Sequence, residues 1–172
     1  MKKPRDVPAR DDKYMALAFI HASFSKDPST QVGAVILSQN NTIVGTGYNG
    51  PPRRINDNQI DWERPNKYSY IKHAEANAIK HATSSTAGCT LYVTGMPCSK
   101  CMLDILDAEI YKVVFFDTKK ITDAKSMFHN EEEFKITENL ARLGSVQLIP
   151  YAGNLNWLRD RIKFLETVGL FG

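Results

Sequence analysis

Cys98 and Cys101 stand three positions apart in "GMPCSKC", residues 95–101, directly behind Pro97. Cysteines at this spacing hold a metal, form a redox disulfide, or pack as small apolar side chains. At the start of a helix, the i, i+3 spacing brings both sulfurs to one face. The free N–H groups and the helix dipole there favour thiolates, the form that binds zinc. A catalytic zinc takes three protein ligands and leaves one position open. The third ligand must therefore come from elsewhere, and the histidines on offer are His21, His73, His81 and His129. His73 has chemistry beside it: it begins a predicted helix, and Glu75 follows two residues later. A carboxylate next to a metal-activated water can serve as base and then as acid.

His73-Ala74-Glu75 followed by Pro97-Cys98-Ser99-Lys100-Cys101 fits the H-x-E…P-C-x-x-C pattern of zinc-dependent nucleobase deaminases. Glu75 and Cys98 are 98 − 75 = 23 residues apart, enough for a helix, a turn and a strand to return to one edge. A redox pair after a strand explains the two cysteines but neither His73 nor Glu75. Two cysteines packed as small hydrophobes leave Glu75 and Pro97 unexplained. The other candidates have simpler readings. Cys89 opens a strand as a buried apolar side chain, His21 packs on a helix, His81 is exposed or at the core edge, and His129 lies in a polar loop. Glu131-Glu132-Glu133 opens a helix, where the dipole favours acidic residues.

The elements that must position this set alternate along the chain. Asp11-Asp12 caps a predicted helix that runs to about Lys26. Val32–Leu37 and Thr42–Tyr48 read as two strands around a polar turn. A loop of roughly twenty residues opens at Gly50-Pro51-Pro52 and carries Arg53, Arg54, Asp57, Arg64 and Lys67; its length suggests a functional role. A helix from His73, a strand over 89–94, a helix opened by Pro97 and a doubly buried strand over 112–116 follow. A helix ending near Gly144, a strand in "VQLIP" and a closing helix striped by Leu155, Leu158, Ile162 and Leu165 complete the order. That stripe reads as core or as a subunit contact. The pattern predicts an α/β fold with one mixed sheet and helices on both faces, the first two strands antiparallel and the rest largely parallel.

The chain has 172 residues, 42% hydrophobic and 24% charged, which predicts one globular domain over 1–172, with its core at about 12–150 and a C-terminal helix at about 154–168. A net charge of +3 suits an anionic small molecule and is too mild to argue for nucleic acid. No apolar run approaches the roughly 20 residues that cross a bilayer, and no signal-peptide core follows the N-terminus. A cytoplasmic location is expected, with no membrane partner, and there a structural disulfide is not.

With these residues in view, the chain resembles the deoxycytidylate (dCMP) deaminases of the cytidine deaminase superfamily, and is most similar to the compact versions carried by phages. "SKDPSTQVGAVI" (25–36), "GYNGPP" (47–52), "KHAEANAI" (72–79) and "MPCSKC" (96–101) carry the resemblance, which spans about residues 12–150. The resemblance implies a three-layer α/β/α cytidine-deaminase-like fold with a five-stranded mixed sheet. It implies hydrolysis of dCMP to dUMP and ammonia, which supplies thymidylate synthesis, in the host cytoplasm if the chain is phage-encoded. His73, Cys98 and Cys101 would be the zinc ligands and Glu75 the catalytic proton shuttle.

The resemblance also implies a substrate set. Asn49 would meet the deoxyribose hydroxyl, the backbone N–H of Ala74 the pyrimidine carbonyl, and Ser25 and Lys26 the 5′-phosphate. Lys26, Lys119 and Lys120 sit at predicted element ends, where cations could converge on a phosphate; relatives often carry a tyrosine where Lys120 stands. Many members are hexamers, activated by dCTP and inhibited by dTTP. The triphosphate, with Mg²⁺, would bind near Gly47, Tyr48, Asn49 and Gly50. Some relatives hold a second zinc in the loop after "GYNG", but residues 51–72 contain no cysteine or histidine, so one zinc per chain is expected. A deaminase acting on nucleic acid would need a basic, aromatic strand-binding surface, and a regulatory zinc module would not need Glu75.

Overall fold

Gly33–Leu37 (β1) is an unbroken apolar run and is buried at every position, as a central strand covered on both faces must be. The computed structural model describes residues 3–117 and 131–168. It sets β1 between β2 (Ile43–Tyr48) and β3 (Thr90–Val93), with β4 (Lys112–Phe115) and β5 (Gln147–Pro150) beyond, in the order β2-β1-β3-β4-β5. β1 runs antiparallel to both neighbours, whereas β3, β4 and β5 are mutually parallel. The sheet is mixed and five-stranded, as predicted.

The described residues form five α-helices: α1 (Arg10–Ala22), α2 (Ala74–Lys80), α3 (Ser99–Asp107), α4 (Glu131–Leu143) and α5 (Asn156–Thr167). Side chains alternate across the sheet, so neighbouring residues of one strand feed two separate cores. Ile36, Leu91, Val93 and Val113 pack with Ala74 and Ala78 of α2, Met102 and Ile105 of α3, and Ala141 of α4. Val35, Leu37, Tyr92 and Val114 face the other way, onto Tyr14, Met15 and Ala18 of α1. The result is a three-layer α/β/α arrangement.

Three local expectations need correcting. α1 ends at Ala22 and not near Lys26: the amides of Phe24 and Ser25 bond to His21 and Ala22, a tighter turn that leaves the helix. Pro28 then disfavours helical geometry at Asp27. Asp11 and Asp12 do not cap α1. The N-cap is Ala9, and the two carboxylates lie in the first turn, where they accept the Tyr92 and Tyr151 hydroxyls. The Leu155–Leu165 stripe is not core along its length: α5 has no buried residue, although Leu155 just ahead of it packs half-buried against the second core.

Candidate active site

α2 and α3 point their N-termini at the same place. His73 is the N-cap of α2 and Cys98 the N-cap of α3, which puts Cys101 at the third helical position. Nδ1 of His73 lies 3.2 Å from Sγ of Cys101 and 3.5 Å from Sγ of Cys98, and the three ligand-type atoms all fall within 4.8 Å of one another. Cys101 is buried, Cys98 half-buried and His73 exposed at the rim. One imidazole nitrogen and two thiol sulfurs form a donor set that suits zinc in chemistry and in number.

The charges in this cluster are strongly coupled. Cys98 is drawn down to about 4, first because Cys101 donates to its sulfur and further because His73 does. His73 rises to about 9 through its bond to Cys98. Cys101 is pushed up by the same Cys98 partner and by burial. Zinc takes thiolate and neutral imidazole ligands, so binding a metal here would release the protons that these groups carry. Glu75, one residue into the first turn of α2 and only 4% exposed, is raised by burial, against the pull of His73. A carboxyl that is reluctant to ionise and sits beside the cluster is a fit proton carrier.

β2 sets the position of α2 without any side chain between them. A Cβ on Gly47 would lie 2.4 Å from the Ala74 carbonyl and 2.4 Å from the Ala78 amide, so only glycine lets strand and helix meet there. Asn77 adds a bond from Nδ2 to the Tyr48 carbonyl at 2.8 Å. Lys72, just ahead of His73, is bridged to Gly50 by two backbone bonds of 2.9 and 3.0 Å. Gly47, Tyr48, Asn49 and Gly50 therefore lie directly against the segment that presents His73 and Glu75.

The expected substrate residues are distributed around this edge. Ala74 opens α2, so its N–H is one of the first-turn amides with no helical partner. Asn49 is buried and already engaged: Oδ1 accepts from the Val32 amide at 2.8 Å and Nδ2 donates to the Thr30 carbonyl at 2.9 Å. Ser25 donates to the Asn49 carbonyl at 2.8 Å. Lys26 is 71% exposed and ion-paired with Asp57. Lys119, Lys120 and His129 lie outside the described residues. Cys89 is buried and stands apart from the cluster, and His81 is exposed.

Sequence reasoning missed one feature. Lys67 is 1% exposed and Asp27 is 3% exposed, and they form an ion pair with bonds of 2.6 and 2.7 Å that also takes in Ser29. Asp27 further accepts from the Ser29 and Thr30 amides. The pair ties the loop ahead of α2 to the segment ahead of β1. Asp-Pro-Ser-Thr is turn-forming chemistry, but nothing in the sequence marks Lys67 among its polar neighbours as the partner of Asp27.

Comparison with known proteins agrees with this geometry. Residues 8–117 match the family described as "Cytidine and deoxycytidylate deaminase zinc-binding region". The deoxycytidylate deaminase of Mus musculus is 39% identical over 152 residues, covering 84% of this chain and 81% of that protein. That of Homo sapiens is 39% identical over 140 residues, covering 74% and 79%. Among solved structures, the dCMP deaminase of cyanophage S-TIM5 in complex with dCMP and dUMP superposes with a TM-score of 0.66 at 25% identity, over 86% of this chain and all (100%) of that one. The chain belongs to the cytidine and deoxycytidylate deaminase family, and is a hydrolase of the zinc-binding deaminase class.

Proposed function

We propose that the chain hydrolyses dCMP to dUMP and ammonia, and so supplies dUMP for thymidylate synthesis. The observation that carries this reading is the buried Glu75 held beside a His-Cys-Cys cluster, in a chain whose relatives include deoxycytidylate deaminases along most of its length. His73, Cys98 and Cys101 would hold one zinc ion, which when bound supplies the Lewis acidity that makes water nucleophilic at neutral pH. Glu75 accepts a proton from the attacking water and gives it to N3 of the cytosine ring as C4 is attacked. It then helps to protonate the departing ammonia. Its raised proton affinity suits both directions of transfer. The free N–H of Ala74 would hold the pyrimidine carbonyl, and Asn49, fixed between Thr30 and Val32, would meet the deoxyribose. Ser25, Lys26 and Lys120 are assigned to the phosphate.

Side-by-side assays of the pure protein on dCMP, dCTP, cytidine and single-stranded DNA test this reading. Turnover should be greatest on dCMP. Equal or greater turnover on cytidine or on DNA would overturn it.

Regulation belongs to the same reading: dCTP activates and dTTP inhibits, each with Mg²⁺, at Gly47, Tyr48, Asn49 and Gly50 of a homo-hexamer. Its support is the direct backbone contact of Gly47 with α2, which gives a ligand there a short path to His73 and Glu75. Exposed Ile20, Phe24 and Tyr48 provide apolar surface for a subunit contact.

A further inference from the structure

The acidic run that opens α4 does more than satisfy its own helix. Oε1 of Glu133 accepts a hydrogen bond of 2.6 Å from the backbone amide of Ser99, across 34 residues of chain. Ser99 is the first residue of α3, and the N-cap Cys98 makes no side-chain cap to that helix. The Ser99 amide and hydroxyl, with the Lys100 charge, hold the Glu133 carboxyl below the ordinary glutamate value.

The two helices run side by side in the same direction. Glu133 meets Ser99 at their N-terminal ends, and Gly144, just past α4, abuts Leu106 near the end of α3. The carboxylate therefore stands at two positive helix ends at once. It also gives the first orphan amide of α3, the Ser99 N–H, a partner directly beside the ligand-type Cys98.

Cys98, Ser99 and Cys101 belong to one turn, so fixing the Ser99 amide fixes the rotation at which both sulfurs are presented to His73. We propose that Glu133 is a positioning residue for the metal centre: a carboxylate lent by α4 that locks the Cys98–Cys101 turn in its ligating geometry. The proposal rests on the zinc reading of His73, Cys98 and Cys101. Outer-shell partners of this kind commonly change metal affinity by roughly 10- to 100-fold.

The test compares Glu133→Ala, Glu133→Gln and the control Glu131→Ala by zinc competition against a chelator, with melting temperatures recorded for the zinc-loaded and zinc-stripped forms. Glu133→Ala should weaken zinc binding by about tenfold or more, and narrow the gap between loaded and stripped melting temperatures. Glu133→Gln keeps an oxygen acceptor for the Ser99 amide and should recover most of the affinity, while Glu131→Ala should match wild type. A Glu133→Ala protein that binds zinc as tightly as wild type overturns the proposal. So does one that loses stripped-form stability while keeping its affinity, or a Gln variant as weak as Ala. A wild-type protein that takes up no zinc would instead overturn the ligand assignment itself.

Discussion

Glu75 and the His73–Cys98–Cys101 cluster have separable roles. Removing the carboxylate should spare the three ligand-type atoms, because Glu75 is not one of them. Glu75→Gln should retain one zinc per chain and its fold, and lose turnover by at least about 100-fold, in line with general acid–base catalysis; metal analysis beside steady-state kinetics checks both. Cys98→Ala or Cys101→Ala should instead lose zinc and thermal stability together, because binding free energy at such a site is also folding free energy. Metal content near one per chain is expected of wild type, with no cysteine or histidine in residues 51–72 to hold a second ion.

Between elements, the tight contact of β2 with α2 and the Lys67–Asp27 pair hold the active edge together. Gly47→Ala drives a methyl group into the Ala74 carbonyl and Ala78 amide, and should cost about 1–3 kcal/mol by overpacking. Turnover should fall with it, because the displaced helix carries Glu75; chemical denaturation and kinetics measure the two. Lys67→Met leaves Asp27 charged and buried, and should destabilise by roughly 3–5 kcal/mol. The same pair gives a pH signature. Burial alone would raise the Asp27 carboxyl, but Lys67, Ser29 and the Thr30 amide outweigh it and hold the group below its ordinary value. The unfolded chain ionises at about 3.9, so this stabilisation is complete above that pH and is lost as pH falls through the folded value. Melting temperatures should therefore drop below about pH 4, and Asp27→Asn should remove part of that dependence.

At the scale of the whole molecule, α5 and the exposed Ile20, Phe24 and Tyr48 leave apolar surface that the two cores do not use. If subunits associate there, ligands at residues 47–50 can couple to catalysis. The expected kinetics on dCMP are sigmoidal, straightened by dCTP and steepened by dTTP. Linkage requires that dCMP weaken dTTP binding by the factor with which dTTP weakens dCMP binding. Sedimentation together with saturation curves measures this; hyperbolic kinetics from a monomer would mean that the chain works unregulated.

How far the sequence alone reached follows from the range of the forces involved. The His-x-Glu and Pro-Cys-x-x-Cys spacings, the alternation of helices and strands, and the doubly buried run of β4 are local patterns, because helix pitch and strand pleat repeat within a few residues. They sufficed to predict a mixed five-stranded sheet and to bring His73, Glu75, Cys98 and Cys101 to one edge. The partners of Asp11 and Asp12, the burial of Lys67 and the reach of Glu133 to Ser99 were decided only by tertiary packing. Each depends on a group supplied from a distant part of the chain: Tyr92 and Tyr151 for the two aspartates, Asp27 for Lys67, and the first amide of α3 for Glu133. A charged side chain looks the same in sequence whether water or a buried counter-charge will solvate it, and only the folded chain chooses between them.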